Sequence, residues 1–133
     1  MVDQRIELFV NGTLMRGLAL HDNLAGAPLV AEATTVPAYR LYSVGDVHPA
    51  MVRDETAGAA IAGELYDLPL STLAAVLDGE PAGLGIGVVE LEGLGLRIGV
   101  LWVAGALPAD AVEITAHGGW RAYRAAATAE ARA

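Results

Sequence analysis

The sequence predicts one α+β domain, a small mixed β-barrel or curled sheet with short helices packed on its outside. The chain has 133 residues, the length of a single domain, so we expect one domain over residues 1–133. Several segments alternate apolar and polar residues with a period of two, which is the pattern of half-buried strands. Only a few short segments carry a helical pattern, and no repeat of roughly 20–50 residues is present.

The first third of the chain is predicted to consist mainly of strands. Residues 6–10 alternate in hydrophobicity and lead into a tight loop, where Gly12 is expected to adopt backbone angles that other residues avoid. A short helix is predicted over residues 17–25. Two further strands are predicted over residues 28–36 and 38–43. We place a break between them at Pro37, because proline indicates a strand edge or a break.

The middle of the chain is predicted to contain a loop, a strand and a helix. Residues 44–58 are expected to form a loop with one short strand near residues 51–53, and residues 59–68 alternate again. Residues 69–78 give the clearest helical pattern, with apolar residues on one face. Asp67 is expected to cap the start of this helix.

The last third is predicted to form a hairpin and a terminal helix. Gly79 marks the end of the preceding helix. Residues 84–103 contain two apolar strands that turn at residues 93–95, which is typical of a hairpin. Residues 120–131 are mostly alanine and arginine and therefore have high helix propensity.

Composition excludes several classes of function. The chain carries 16 acidic and 8 basic residues, and its net charge of −8 disfavours nucleic acids and anionic membranes as partners. It has no cysteine, which excludes disulfides, thiol nucleophiles and zinc–thiolate sites. All of its basic residues are arginine, which excludes Schiff-base enzymes, P-loop NTPases and serine–lysine amidases.

No metal, cofactor or membrane span is predicted. The three histidines, His21, His48 and His117, are too widely spaced to form a metal-binding motif. No apolar run reaches the roughly 18 residues that a membrane span needs. Because the first residues are too polar for a signal peptide, we expect a cytoplasmic protein.

A resemblance to known families rests on motifs that occur in a fixed order. Residues 8–17 resemble the opening of the γ-glutamylcyclotransferase-like superfamily, where a first strand runs into a Tyr-Gly-Ser/Thr-Leu loop, and Asn11 stands where that tyrosine would be. Further motifs resemble the C-terminal domain of allophanate hydrolase, and the resemblance extends over residues 7–123. These motifs are Tyr39-Arg40-Leu41-Tyr42, Met51-Val52-Arg53, Gly63-Glu64-Leu65-Tyr66, Leu84-Gly85-Ile86-Gly87 and Gly118-Gly119-Trp120-Arg121-Ala122-Tyr123.

The resemblance implies a γ-glutamylcyclotransferase-like fold in a stand-alone version of the allophanate hydrolase C-terminal domain. In that enzyme the domain follows an amidase domain with a Ser-Ser-Lys centre, which this chain cannot supply because it lacks lysine. The implied function is binding of a small carboxylated urea or carbamate, followed by decarboxylation or release of ammonia. Candidate partners are an amidase or a urea carboxylase. A homodimer is a candidate assembly, since the domain supports oligomerisation in other members.

The loop that follows the first strand is the candidate binding site. Backbone N–H groups at a glycine-containing turn form a nest for a carboxylate or phosphate oxygen, and the resemblance implies that this loop holds the polar end of the substrate. A nearby arginine suits a carboxylate, and a tyrosine hydroxyl suits a small polar ligand. The predicted substrate-binding residues are Asn11, Gly12, Thr13, Leu14, Arg16 and Tyr42.

Three residues are candidates for proton transfer. His48 lies in a predicted loop and has a side chain that titrates near neutral pH. Glu64 lies within a predicted strand, where it is either buried and paired or exposed to water. Glu80 follows the clear helix. The resemblance implies a general-base role for a glutamate after a Leu-Asp pair, although the usual spacing from the aspartate is one residue longer.

Two other functions stay open from the sequence. A γ-glutamyl cyclotransferase would release 5-oxoproline and would require Glu80 to point into a cavity beside the loop. A non-catalytic subunit that organises an amidase or carboxylase would instead have an exposed apolar patch and no cavity with convergent polar groups.

Overall fold

The computed structural model describes residues 4–132, which fold around two β-sheets. Single turns of 3₁₀ helix occur at His21–Leu24 and Thr115–His117. The strands are β1 (Arg5–Val10), β2 (Leu29–Thr34), β3 (Tyr39–Val44), β4 (His48–Arg53), β5 (Ala62–Pro69), β6 (Leu84–Leu91), β7 (Gly95–Trp102) and β8 (Val112–Glu113). The helices are α1 (Leu70–Asp78) and α2 (Trp120–Arg132).

The larger sheet has five strands in the order β2-β5-β1-β7-β6, and the smaller has three in the order β4-β3-β8. The larger sheet is mixed, because β1 pairs antiparallel with β5 and parallel with β7. It curls until Thr35, just after β2, forms an isolated bridge with Leu91 of β6, and within residues 4–132 no further bridge joins its two edges. The α+β class is therefore confirmed, in the form of a curled sheet that does not close into a barrel.

Strand β1 lies at the centre of the larger sheet and anchors the loop that follows it. Leu8, Phe9 and Val10 are at most 1% exposed, so both faces of the strand are covered in its second half. Its neighbour β5 contributes Leu65 and Tyr66, which are equally buried. Burial of each such side chain contributes about 1.5–3 kcal/mol. The chain is thus held firmly at the point where it leaves the sheet for the loop.

The predicted helix at residues 69–78 and the predicted hairpin are confirmed. Helix α1 begins at Leu70 and ends at Asp78, with Leu73 and Val76 buried and Gly79 as its C-cap. Strands β6 and β7 form the hairpin and pair along their whole length. The predicted C-terminal helix is α2, whose first residue, Trp120, is buried in the core.

The predicted loop at residues 44–58 is wrong in its first half, where His48 begins strand β4. Strands β3 and β4 pair from Tyr39–Arg53 to Val44–His48. The turn between them is tight: three residues separate the paired Val44 and His48, and two of these, Gly45 and Asp46, have positive φ. Four consecutive residues of β4 are buried, which removes the alternation that would have indicated a strand.

Two smaller predictions are also wrong. Residues 17–25 form turns and only one 3₁₀ turn, so the predicted short helix is absent. Asp67 does not cap α1: it lies within β5 and its carboxylate accepts a hydrogen bond from Arg5 at 3.2 Å. The N-cap of α1 is Pro69, which has no side-chain oxygen to offer.

Candidate functional site

The structure separates most of the predicted site residues between two cavities. The first, which we call the loop cavity, has a volume of about 10 Å³, roughly the room needed by one water molecule. It brings together six residues that the sequence singled out: Asn11, Gly12, Thr13, Leu14, His48 and Glu80. Three elements supply them, namely the loop after β1, the start of β4 and the segment after α1.

Gly12 is required in the loop by space rather than by backbone conformation. A Cβ atom at this position would lie 2.6 Å from the Cδ and Cγ atoms of Pro49, which is too close for any side chain. Gly12 is not among the residues with positive φ, so the expectation of unusual backbone angles is wrong. The loop therefore lies directly against the start of β4, which brings it next to His48.

The carbonyl groups of the loop are occupied while its N–H groups are not. The Gly12 carbonyl accepts a hydrogen bond from the Met15 N–H at 3.0 Å, and the Thr13 carbonyl accepts one from the Leu20 N–H at 2.9 Å. Within residues 4–132, the N–H groups of Gly12, Thr13 and Leu14 donate to no protein acceptor. The loop is thus held by its acceptors while these donors stay available, which is the arrangement of an anion-binding turn.

The side chain of Asn11 has a structural role, and one of its two polar atoms has no hydrogen-bond partner among the described residues. It is only 4% exposed, and its Nδ2 donates to the Val100 carbonyl at 3.0 Å and to the Met51 sulfur at 3.7 Å. Because the carbonyl of Val100 can only accept, the side-chain NH₂ group must face it. The Oδ1 atom accepts no hydrogen bond from a described residue and remains available to an N–H donor in the cavity.

Glu80 has a buried carboxylate oxygen without a partner. It lies directly after α1 and Gly79, and its Oε1 atom is buried with no hydrogen-bond donor among residues 4–132. Burial raises the pKa of Glu80 above its usual value, because desolvation disfavours the charged form. A partly desolvated carboxyl group beside free N–H donors is equipped to exchange a proton with a small ligand.

His48 borders the same cavity and uses one ring nitrogen in a contact with the backbone. The residue is 8% exposed, and its Nδ1 lies 3.0 Å from the Pro49 carbonyl oxygen. A carbonyl accepts only, so Nδ1 donates in this contact, and in the neutral ring Nε2 is an acceptor. His48 is therefore a buried residue at the start of β4 rather than the loop residue that the sequence predicts.

Glu64 and Arg16 lie apart from the loop cavity, in a saturated cluster. The side chain of Glu64 is 5% exposed. Its Oε1 accepts hydrogen bonds from the Arg16 N–H and the Tyr66 hydroxyl, both at 2.8 Å. Its Oε2 contacts Arg16 Nε at 3.4 Å and Arg121 Nη2 at 3.3 Å. Of the two states that the sequence left open for Glu64, the structure has the buried and paired one.

This cluster holds Glu64 in its charged form. Burial alone would raise the pKa of Glu64, but the hydrogen bonds from Arg16 and Tyr66 outweigh it and the pKa lies below its usual value. Burial and the adjacent carboxylate raise the pKa of Tyr66 to about 12. A carboxylate with four donors is a poor proton carrier, so the geometry favours Glu80 and His48 over Glu64 for that task.

The second cavity, which we call the α2 groove, lies between α2 and strands β2 and β5, and Glu64 and Arg121 border it. Its volume is about 610 Å³. Arg121 was not singled out from the sequence, although it belongs to the Gly-Gly-Trp-Arg motif. Its part in the cluster depends on a contact with Glu64 that spans 57 residues, which no local pattern indicates.

The structure brings Tyr42 to neither cavity. It lies in the middle of β3, opposite Ala50 on one side and Glu113 on the other. Over residues 4–132, no group of three or more acidic or histidine side chains is arranged to hold a metal ion. In the same part of the chain, no helix has the length and apolar character to cross a membrane.

Sequence comparison relates the chain to allophanate hydrolases. The profile of the allophanate hydrolase C-terminal domain matches residues 6–125. Urea amidolyase from Saccharomyces cerevisiae is 33% identical in an alignment of 127 residues that covers 89% of this chain and 7% of that protein. The chain thus spans only a small part of the length of this curated relative.

Structural comparison gives the same relationship. The uropathogenic Escherichia coli protein c4763 is 43% identical with a TM-score of 0.86, covering 92% of this chain and 97% of its own. Allophanate hydrolase from Kluyveromyces lactis is 30% identical with a TM-score of 0.83, covering 92% of this chain and 21% of that enzyme.

The fold extends to more distant proteins. A mouse AIG2-like protein, 19% identical with a TM-score of 0.66 over 80% of this chain and 82% of its own, is similar in fold alone. This likeness confirms the predicted γ-glutamylcyclotransferase-like fold. Since the family profile and the relatives cover nearly all of the described residues, the chain belongs to the allophanate hydrolase C-terminal domain family.

Proposed function

We propose that the protein binds a small carboxylated amide or carbamate in the loop cavity, and that Glu80 exchanges a proton with it. The observation that carries this proposal is the buried Oε1 atom of Glu80, which has no hydrogen-bond partner among the described residues. Native proteins leave few buried polar atoms unpaired, and each one requires an explanation. An N–H or O–H group of a ligand would be the missing partner.

The polar atoms of the loop cavity suit a ligand that has both a carboxylate and an amide nitrogen. The free N–H groups of Gly12, Thr13 and Leu14 match a carboxylate oxygen. Asn11 Oδ1 matches an N–H of the ligand, since the Nδ2 of this residue is already used. At about 10 Å³ the cavity holds about one water molecule, so its walls must move apart to admit even a compact ligand of this kind.

Glu80 suits the removal of a carboxylate group from nitrogen. When the C–N bond of an N-carboxy group breaks, the carbon leaves as CO₂ and the electron pair stays on nitrogen. That nitrogen then takes up the proton of the neutral Glu80 carboxyl, which is restored from solvent. Because burial raises the pKa of Glu80, a larger fraction of its carboxyl is neutral near physiological pH than for an exposed glutamate.

The experiment compares the wild-type protein with Glu80→Gln, with allophanate as substrate and release of CO₂ as the readout; biuret, which has no carboxylate to lose, is the unreactive control compound. Asp78→Asn is the matched control, because Asp78 is exposed at the end of the same helix. We expect turnover by the wild-type protein and the control, and a loss of at least about 100-fold in Glu80→Gln, the usual contribution of general acid–base catalysis. Turnover that survives in Glu80→Gln would contradict the role of Glu80.

A γ-glutamyl cyclotransferase is the second candidate, favoured because Glu80 borders the cavity beside the loop. In this reaction Glu80 would take a proton from the substrate amine as its nitrogen attacks the γ-carbonyl carbon. A new C–N bond closes the ring and the original amide bond breaks. Formation of 5-oxoproline from a γ-glutamyl dipeptide, lost in Glu80→Gln, would favour this reaction over the first.

A partner enzyme is compatible with either reaction. The related domain forms only part of larger proteins in the urea amidolyase and allophanate hydrolase relatives. At the β6–β7 edge of the sheet, Val88 and Leu96 are 61% and 64% exposed, an apolar surface suited to a protein contact. We therefore propose an amidase or a urea carboxylase as partner. Gel filtration of the chain mixed with each enzyme tests this, and separate elution from both would contradict it.

A further inference from the structure

The α2 groove has the size and lining of a small-molecule site and does not serve the proposed reaction. Its volume of about 610 Å³ falls within the roughly 300–1,000 Å³ of known ligand cavities. Alanines form much of its lining, and they leave space that larger side chains would fill. These alanines are Ala33, Ala62, Ala122 and Ala125.

The start of α2 fixes the position of one wall. At Gly119 an added Cβ would lie 3.3 Å from the Cβ of Ala62, so this glycine lets the helix approach β5 closely. Trp120 follows and is buried. The first turn of the helix therefore stays against the sheet, and Arg121 in that turn borders the groove.

Arg121 carries positive charge at the polar side of the groove, and Arg16, which does not line the groove, pairs with the same glutamate. The Arg121 and Arg16 side chains are 52% and 51% exposed, and both contact the buried carboxylate of Glu64. Arg121 uses Nη2 for that contact and for the Arg16 carbonyl at 2.9 Å. A guanidinium has five N–H donors, so Arg121 retains donors for a carboxylate at the groove.

The carboxylate of Glu32, at the rim of the groove, can be displaced by the carboxylate of a ligand. Glu32 contacts Arg16 Nη2 at 2.7 Å, but its side chain is 74% exposed. Exposed ion pairs contribute little to stability, so displacement of Glu32 by another carboxylate is inexpensive. With two arginines facing two glutamates, and a net charge of −8 on the whole chain, a singly charged ligand fits better than a phosphate dianion.

We infer that the α2 groove binds a small apolar monocarboxylic acid. The carboxylate of the acid pairs with Arg121, and its hydrocarbon body lies on the alanine-lined surface. This site is separate from the loop cavity and does not depend on the reaction proposed there.

Calorimetric titration with three probes tests the inference. The probes are 3-phenylpropionate, its uncharged amide, and acetate, which has the carboxylate without the apolar body. We expect 3-phenylpropionate to bind at least about tenfold more tightly than either of the others, because a charge-assisted contact and the apolar contact each correspond to about a factor of ten or more.

Three variants locate the binding. Arg121→Gln removes the charge and should weaken 3-phenylpropionate about tenfold without affecting the amide. Ala125→Leu places a larger side chain in the groove at an exposed position, and should weaken the binding of both 3-phenylpropionate and its amide. Arg132→Gln, at the far end of the same helix, is the matched control and should change neither.

The inference would be overturned if 3-phenylpropionate fails to bind at millimolar concentration, or if it binds Ala125→Leu as tightly as the wild-type protein. Sedimentation of the unliganded protein supplies a further check. A dimer that Ala125→Leu converts to monomer would mean that a second copy, rather than an acid, covers the groove. Equal binding to Glu80→Gln is expected, since the two sites are separate.

Discussion

Replacement of Glu80 by glutamine should stabilise the protein at neutral pH. The buried Oε1 of Glu80 has no partner among the described residues, so the ionised carboxylate loses water on folding without compensation. A buried unsatisfied polar group costs about 1–3 kcal/mol, and the lower end applies because the residue is only partly buried. We therefore expect the free energy of unfolding to be about 1 kcal/mol larger in Glu80→Gln, which has nearly the same shape and no charge.

The gain should depend on pH in a defined direction. The pKa of Glu80 is raised in the folded state, so the folded protein binds the proton more tightly than the unfolded chain. The folded state is therefore favoured below the unfolded pKa, and that advantage is lost as pH rises through the folded pKa. The difference between Glu80→Gln and wild type should be close to zero below pH 4.5, the ordinary pKa of glutamate, and should grow as pH rises through the raised pKa of the folded state.

Urea denaturation followed by tryptophan fluorescence measures the free energy of unfolding of wild type and Glu80→Gln, and repeating it over a range of pH gives the pH dependence of their difference. A gain of 1 kcal/mol corresponds to a rise in Tm of about 3–5 °C for a domain of this size. Asp78→Asn, two residues away at an exposed position, should change the free energy of unfolding by less than about 0.5 kcal/mol. An unchanged or lower stability of Glu80→Gln at neutral pH would refute the reasoning, as would an equal gain at low pH.

Three further substitutions have expected effects on unfolding by urea. Gly12→Ala should destabilise by about 1–3 kcal/mol because the new methyl group collides with Pro49, and a neutral result would refute the packing argument. Asn11→Ala should cost about 2 kcal/mol, since it removes a buried hydrogen bond to a backbone carbonyl, and a cost near zero would contradict the structural role. Tyr66→Phe should cost about 1 kcal/mol at pH 7 by removing a donor to Glu64. The pKa of Glu64 is lowered, so this cost should shrink as pH falls through it, and a pH-independent cost would be inconsistent.

The elements that the sequence predicts correctly are those that depend on nearby residues. Helix α1 and the β6–β7 hairpin have their apolar pattern and their end signals within a few residues of each other. Of strand β4 the sequence predicts only the end, near residues 51–53, because its first four residues are all buried and no alternation marks its start. The parallel pairing of β1 with β7 joins residues about 90 positions apart, which periodicity alone cannot reveal.

In the candidate site, too, the sequence predicts what depends on neighbouring residues and misses what depends on distant ones. The sequence predicts the loop from Asn11 to Leu14 as a binding site because its residues are consecutive and resemble a family motif. Long-range packing decides which acidic residue lies beside that loop. Glu80 borders the loop cavity, whereas Glu64 accepts hydrogen bonds from Arg16, 48 positions away in the sequence. The role of Gly12 also depends on Pro49, a residue from another strand.

The most direct test of the loop cavity is a ¹⁵N–¹H NMR titration of the protein with biuret and with malonate, together with the ¹³C shift of the Glu80 carboxyl. If the loop cavity is the binding site, the largest amide shifts should occur at Gly12, Thr13 and Leu14, and the Glu80 carboxyl should shift with them. Shifts confined to the start of α2 around Arg121, or no shifts at millimolar ligand, would contradict the account.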